Sequence, residues 1–315
     1  MDKTTLTLFT ALCFLGLSAQ GAVTQAVVEK EKEAKSDKAD QLITNKRFRA
    51  SNGSLSKYSV NMSMSYNGGS LEKPLAADRP NISNAGDTTS ISSLSGTINT
   101  SYRASALNRV NLGFGLQVLA PLHQEIDTED PRARKEFEEN QGDLDVSNPM
   151  LSFTHMNRFF GVQTIITAGG TYYTASNLTD VGYNSSADLS VNTMYDFNGS
   201  PFSIGVLGVY NRYFFDKDDE AFLPYQNETV FGFLPQAEYV INDTFNLRTI
   251  IRSHWYQNNR AGASSDFTKR PVTQSLGLGI SLGRDVFLYP NVQFPYDNLT
   301  LSNTNVGLTA NINMF

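Results

Sequence analysis

The chain has 315 residues, with 25 Lys and Arg against 31 Asp and Glu, a formal net charge of −6 and a hydrophobic fraction of 40%. The acidic balance argues against nucleic acid as a partner, because a phosphate backbone is held by a basic surface, and the polarity excludes a bundle of membrane helices. The single cysteine, Cys13, lies in the leader described next, so the mature chain has no disulfide framework, thiolate chemistry or cysteine-ligated metal site.

Residues 1–21 read as a secretory signal. Lys3 precedes an apolar run from Leu6 to Leu17, and Ser18, Ala19, Gly21 and Ala22 supply the small residues of a cleavage site. The run is too short for a spanning helix. Residues 22–57 change character, with EKEKEAKSDKAD at their centre. They lack strand alternation and are rich in helix formers of mixed charge. Two readings stay open: a charged tail outside the folded unit, or a helix that enters that unit and partly plugs it.

From Tyr58 onward the apolar residues lie two apart. Val60, Met62, Met64 and Tyr66 alternate with Ser59, Asn61, Ser63 and Ser65, and Val110, Leu112, Phe114, Leu116 and Val118 alternate with Asn111, Gly113, Gly115 and Gln117. A strand throws successive side chains to opposite faces, so each such segment has one greasy and one wet side. The clearest example is Ala187–Phe214, two alternating arms around the turn residues Asn198–Pro201, with Met194 as the one apolar intruder on the wet face. The arms approach the ~9–11 residues that a tilted strand needs to cross a bilayer, and aromatics gather near their ends. Further segments begin at Ser93, Met150, Phe160, Val230, Phe245, Val272, Val286 and Val306, which makes twelve. Short connections, such as Ala104–Arg109 and Asn242–Thr244, alternate with longer ones, such as Asn67–Ser92 and Pro121–Pro149.

The pattern predicts an all-β fold: a twelve-stranded antiparallel up-and-down transmembrane β-barrel over residues 58–315, with short periplasmic turns and long extracellular loops. Over this range the chain resembles the Gram-negative outer-membrane β-barrel superfamily. The resemblance implies the bacterial outer membrane as location, with outer-membrane lipid, lipopolysaccharide and the barrel-assembly machinery as partners. It also casts the terminal Phe315 as the assembly signal. Val306, Leu308, Ala310, Ile312 and Met314 carry the lipid-facing phase there, so Phe315 is one residue out of step.

By phase, the charged residues of the wet face are Arg103, Asp188, Asp196, Glu238, Arg248 and Arg252, together with His254. Pairing Ile241 with Phe245 across the Asn242–Thr244 turn sets Glu238 opposite Arg248 and leaves Arg252 opposite Leu234. A one-residue slip would turn the apolar set inward, so this register is well determined. The set reads as a charged constriction that selects solutes, or as an ion-pair network that fills a narrow barrel.

A hydrolase needs a nucleophile, a base and an orienting group. Ser152 and His155 fall on opposite faces, and Ser253 and His254 are adjacent and so point apart. Two acidic loops, containing EIDTED and DKDDE, lack the spaced ligands of a calcium loop. Pro235 and Pro290 interrupt strands and mark bulges or bends. The functional expectation is a channel for passive diffusion of small polar or amphipathic solutes, without cofactor or metal. The alternatives are a structural or surface-interaction barrel without transport and, third, an outer-membrane hydrolase.

Overall fold

A computed structural model describes residues 37–84, 89–123, 138, 144–216, 223, 226–262 and 266–314. The signal segment, Phe315 and most of both acidic loops lie outside the described residues. A strand with one apolar and one polar face needs hydrogen-bonded partners along both edges if it is to stand in lipid. Twelve strands meet that need by closing on themselves. They are β1 (Tyr58–Ser70), β2 (Ser93–Arg103), β3 (Asn108–Leu119), β4 (Asp145–Phe159), β5 (Val162–Tyr172) and β6 (Tyr183–Asp196). The second half comprises β7 (Phe202–Phe215), β8 (Asn227–Val240), β9, β10 (Thr273–Leu282), β11 (Val286–Pro295) and β12 (Asn305–Met314). β9 runs over Phe245–Arg252, breaks at Ser253, and continues over His254–Asn259. Every strand pairs antiparallel with its sequence neighbours, and β12 closes on β1 from Val60↔Met314 to Ser70↔Asn305. Three short strands, Asp78–Pro80, Thr89–Ile91 and Phe267–Lys269, decorate the longer connections.

The outer wall is apolar and exposed. Leu112, Phe114, Leu151, Leu189, Ile204 and Phe233 lie between 41% and 58% exposed, a surface that water would not tolerate over such an area. Aromatic rings crowd both ends of this belt. Tyr195, Phe197 and Phe202 meet at 5.2 and 6.0 Å near the short turns, and Phe231 stacks on Tyr256 at 5.1 Å toward the long loops. This is the architecture of an outer-membrane barrel, with its interfacial girdles.

Three local departures matter. The β4–β5 turn is Phe160–Gly161, with φ of +50° and +84°, the two-residue hairpin geometry that needs positive φ at both positions. It replaces the expected Asn157–Phe159 turn, and the next strand starts at Val162 rather than Phe160. Pro235 faces an irregularity: Gln236 pairs with Ile250 but Phe233 pairs with His254, so β9 holds one extra residue at Ser253. A proline cannot donate to the ladder, and the bulge falls where that donor is missing. At Pro290 the register is kept instead, with Gly277↔Asn291 and Ile280↔Leu288 on either side of an unpaired step.

Candidate functional site

The described N-terminal residues lie inside the barrel. Two short helices, α1 (Lys38–Leu42) and α2 (Lys46–Ser51), are capped by Asp37, whose carboxylate accepts from the Ala39 N–H, and by Asn45, whose side chain accepts from the Phe48 N–H. Helices of five and six residues are unstable alone, so packing must hold them. Ala39, Ile43 and Phe48 rest on Met156, Ile165 and Met194, with Phe48 and Met194 fully buried. Ala50 packs against Phe287 and Tyr289 on the other side. Met156, Ile165 and Met194 point inward, where a lumen calls for polar residues, and they form the seat of this plug. Burying a phenylalanine side chain contributes about 1.5–3 kcal/mol.

Polar contacts fix the plug's position. The N–H groups of Thr44 and Asn45, between the helices, donate to Gln163 Oε1 at 2.7 and 2.8 Å. Thr44 Oγ1 donates to Asp196 Oδ2 at 3.0 Å, and Gln163 Nε2 donates to the same oxygen at 2.6 Å. Arg103 pairs with Asp37, and Arg284 lies 3.0 Å from Asp40 and 2.7 Å from Asp285. Buried Arg109 donates through Nη2 to the Ser54 carbonyl and lies against Gly53. That glycine has φ +85°, a conformation that favours glycine, and it lies against the Arg109 guanidinium. Gln163, Asp196, Arg103 and Arg284 all adjoin short turns, so the plug fills the periplasmic end.

Two groups outside the wall strands are shifted by these contacts. Partial burial pushes the Asp37 carboxyl up, but its bonds to Arg103 and to the Ala39 N–H outweigh this and hold it below the usual carboxylate range. Burial lowers Arg284, yet the carboxylates of Asp40 and Asp285 more than offset it and keep the guanidinium more basic than usual.

Glu238 is the centre of the wall network. The register places it opposite Arg248, and the ion pair between Arg248 Nε and Glu238 Oε1 measures 3.4 Å without the alignment of a hydrogen bond. The closer partners come from the plug. Arg47 Nε reaches Glu238 Oε1 at 3.0 Å, and Asn45 Nδ2 donates to Oε2 at 2.7 Å. Two guanidinium groups thus share one buried carboxylate, while Arg248 also lies over the Tyr289 ring at 4.8 Å. Asp188 sits higher on β6 and accepts from Ser186 Oγ and from Thr171 Oγ1.

Arg252 keeps its inward position, opposite Thr273 on β10. His254 does not. The extra residue at Ser253 reverses the phase, so His254 stands opposite Phe233 on the outer face, which corrects its expected place in the lumen. The same break brings Ser253 Oγ within 2.8 Å of His254 Nδ1, a hydroxyl–imidazole contact that strict alternation forbids. No carboxylate or amide orients that imidazole among the described residues, and the pair faces outward. His155 Nδ1 meets Asn108 Oδ1 at 2.7 Å, and His123 meets the Leu75 carbonyl. Neither meets a nucleophile among the described residues. Among the described residues no three His, Cys, Asp or Glu side chains converge as metal ligands.

Arg47, Asn45, Gln163, Asp40 and Arg284 were not among the residues expected from phase. The signal that could have found their region is Met194, an apolar side chain on the wet face that must be covered by something.

No family model matches the chain, and no curated protein matches it. Among solved structures, an outer membrane channel from Pseudomonas putida F1 is similar at 9% identity and TM-score 0.48, over 83% of this chain and 97% of that one. The NanC porin is similar at 9% identity and TM-score 0.43, over 81% and 100%. The KdgM porin is similar at 10% identity and TM-score 0.39, over 82% and 99%. At these identities no residue's role passes from them to this chain.

Proposed function

We propose that the protein is a channel of the bacterial outer membrane for passive diffusion of small polar or amphipathic solutes, with a narrow path between the barrel wall and the residue 37–57 plug. One observation carries this reading. Above the plug, in the sector formed by β12 and β1–β3, the inward side chains are small, polar and open to the lumen: Ser63 is exposed, and Ser65, Thr97, Gln117, Thr309 and Asn311 are half-buried. The larger buried apolar clusters among the described residues lie at the plug, so this sector above it carries no apolar packing and is open to water. Twelve strands fall between barrels filled by side chains and those enclosing a wide aqueous pore. Inside, the guanidinium groups of β9 and the carboxylates of β6 line different sectors of the path and can orient a charged or dipolar solute. The full burial of Phe48 favours a second reading, in which the periplasmic mouth stays shut and the barrel serves a structural or surface role. Planar-bilayer recording of the refolded mature protein separates them. Discrete small conductance steps support the channel, and a sealed bilayer at high protein load favours the second reading.

A further inference from the structure

The geometry points to a binding site in the upper lumen for a solute that carries a carboxylate on a ring, built from Arg252, Trp255 and Arg270. The inference rests on the channel reading for its purpose, though the site itself can be tested without conduction. The extra residue at Ser253 sends His254 outward and so makes Arg252 and Trp255 consecutive inward positions on β9. Arg270 is their cross-strand neighbour: its N–H donates to the Trp255 carbonyl at 2.9 Å. The three residues therefore hold neighbouring inward positions on the wall, with Trp255 between the two arginines in the order of the pairing.

Each is prepared for a ligand that is not part of the chain. Trp255 lies flat on the wall over Gly232, where a Cβ would meet its ring at 2.6 Å. Glycine there lets the indole lie down, and a ring laid against the wall is a platform on which another ring can stack. Its indole N–H is buried without an acceptor among the described residues, and a buried donor of this kind is stabilised by any acceptor that reaches it. Arg252 makes no hydrogen bond or ion pair among the described residues and has Tyr289 and Arg248 as ionisable neighbours. Arg270 is oriented by one bond, from Nε to Gln257 Oε1 at 2.6 Å. Its charge lies beside Tyr183 and Tyr213, whose rings meet at 5.4 Å, and its terminal nitrogens have no partner among the described residues. A guanidinium with free terminal N–H groups accepts a carboxylate in two-point fashion, and the aromatic surfaces take the ring. The two carboxylates of the adjacent strand are both occupied, Glu238 by Arg47 and Arg248 and Glu228 by Arg212, so the positive charge at Arg252 stays available to a solute.

Trp255 is the protein's only tryptophan, so its fluorescence reports the site directly. The refolded protein in detergent is titrated with benzoate and with glucuronate, and with benzyl alcohol and glucose as neutral counterparts. The expected result is a saturable change with one or both carboxylates and none with their neutral counterparts. Benzoate alone assigns the site to aromatic acids, glucuronate alone to acidic sugars, and both to the shared chemistry. Arg252→Gln and Arg270→Gln should each weaken binding about tenfold or more, the loss of roughly one charge-assisted contact. If Arg252→Gln does not refold, added sodium chloride should weaken benzoate binding to the unaltered protein by screening the same contact. No saturable response, equal responses to neutral and anionic ligands, or binding indifferent to both arginines and to salt overturns the site. Saturable binding in a protein that does not conduct upholds the site and overturns the channel.

Discussion

At Glu238, two arginines from different parts of the chain compete for one buried carboxylate. Burial of a lone charge costs far more than loss of a pair, so the three side chains stand or fall together. Glu238→Gln leaves Arg47 and Arg248 facing each other without a counter-charge and should destabilise by about 3–5 kcal/mol in urea titrations of the folded protein in micelles. Adding Arg47→Gln should recover part of that loss, since it removes one uncompensated cation. Strict additivity of the two changes would mean that Arg47 and Glu238 do not interact. The Glu238–Arg248 register was legible from the apolar phase and one turn, because a slip would expose the wrong face. Arg47 was not legible, since nothing in a six-residue helix tells where its side chains land.

The same phase logic applies to the outer wall, where exposure rather than pairing is the constraint. Leu112 is 54% exposed near the middle of β3, and Leu112→Arg should cost about 2–4 kcal/mol in lipid vesicles. Ser190→Arg, on the inward phase of β6, should cost clearly less, because its charge can reach water. Equal penalties would contradict the assignment of faces.

Among the elements, the plug depends most on tertiary contact. Its helices are too short to persist alone, and their anchor is the pad of Met156, Ile165 and Met194 beneath Phe48. Phe48→Ala should therefore unseat residues 37–52 without opening the barrel. Amide exchange should accelerate in α1 and α2 and stay slow in the strands; acceleration in β4–β6 as well would show that the plug supports the wall. The Asp37 contact adds a pH dependence of definite sign. Its carboxyl titrates below the unfolded value of about 3.9, so its contribution is complete above that value and lost as the pH falls through the lower, folded one. Exchange from α1 should be flat with respect to this contact from pH 8 to 5, after correction for intrinsic rates, and should rise only below about pH 4. An onset near neutrality would assign the hold to a different group.

The sequence showed the strands far better than it showed the plug. Alternation is a two-residue period repeated over ten or more residues, whereas the plug signals its presence only by apolar residues in the wrong phase on other strands. The bulge at Ser253 was half legible. Pro235 marked a defect in the ladder, but which strand would absorb the extra residue depends on the paired geometry, and His254 changed sides as a result.

At the scale of the whole molecule the wall is a closed barrel; in the proposed channel, the lumen above the plug admits solute and twenty or so residues at the periplasmic mouth set how much passes. Conductance tests that claim most directly. Single-channel recordings in planar bilayers should compare the mature chain with a variant lacking residues 22–52, both refolded in the same detergent. Small steps are expected for the mature chain and steps several-fold larger for the truncated one, because the wall is complete without the plug. Equal conductances would contradict it, since the residues seated in the lumen would then not lie on the path.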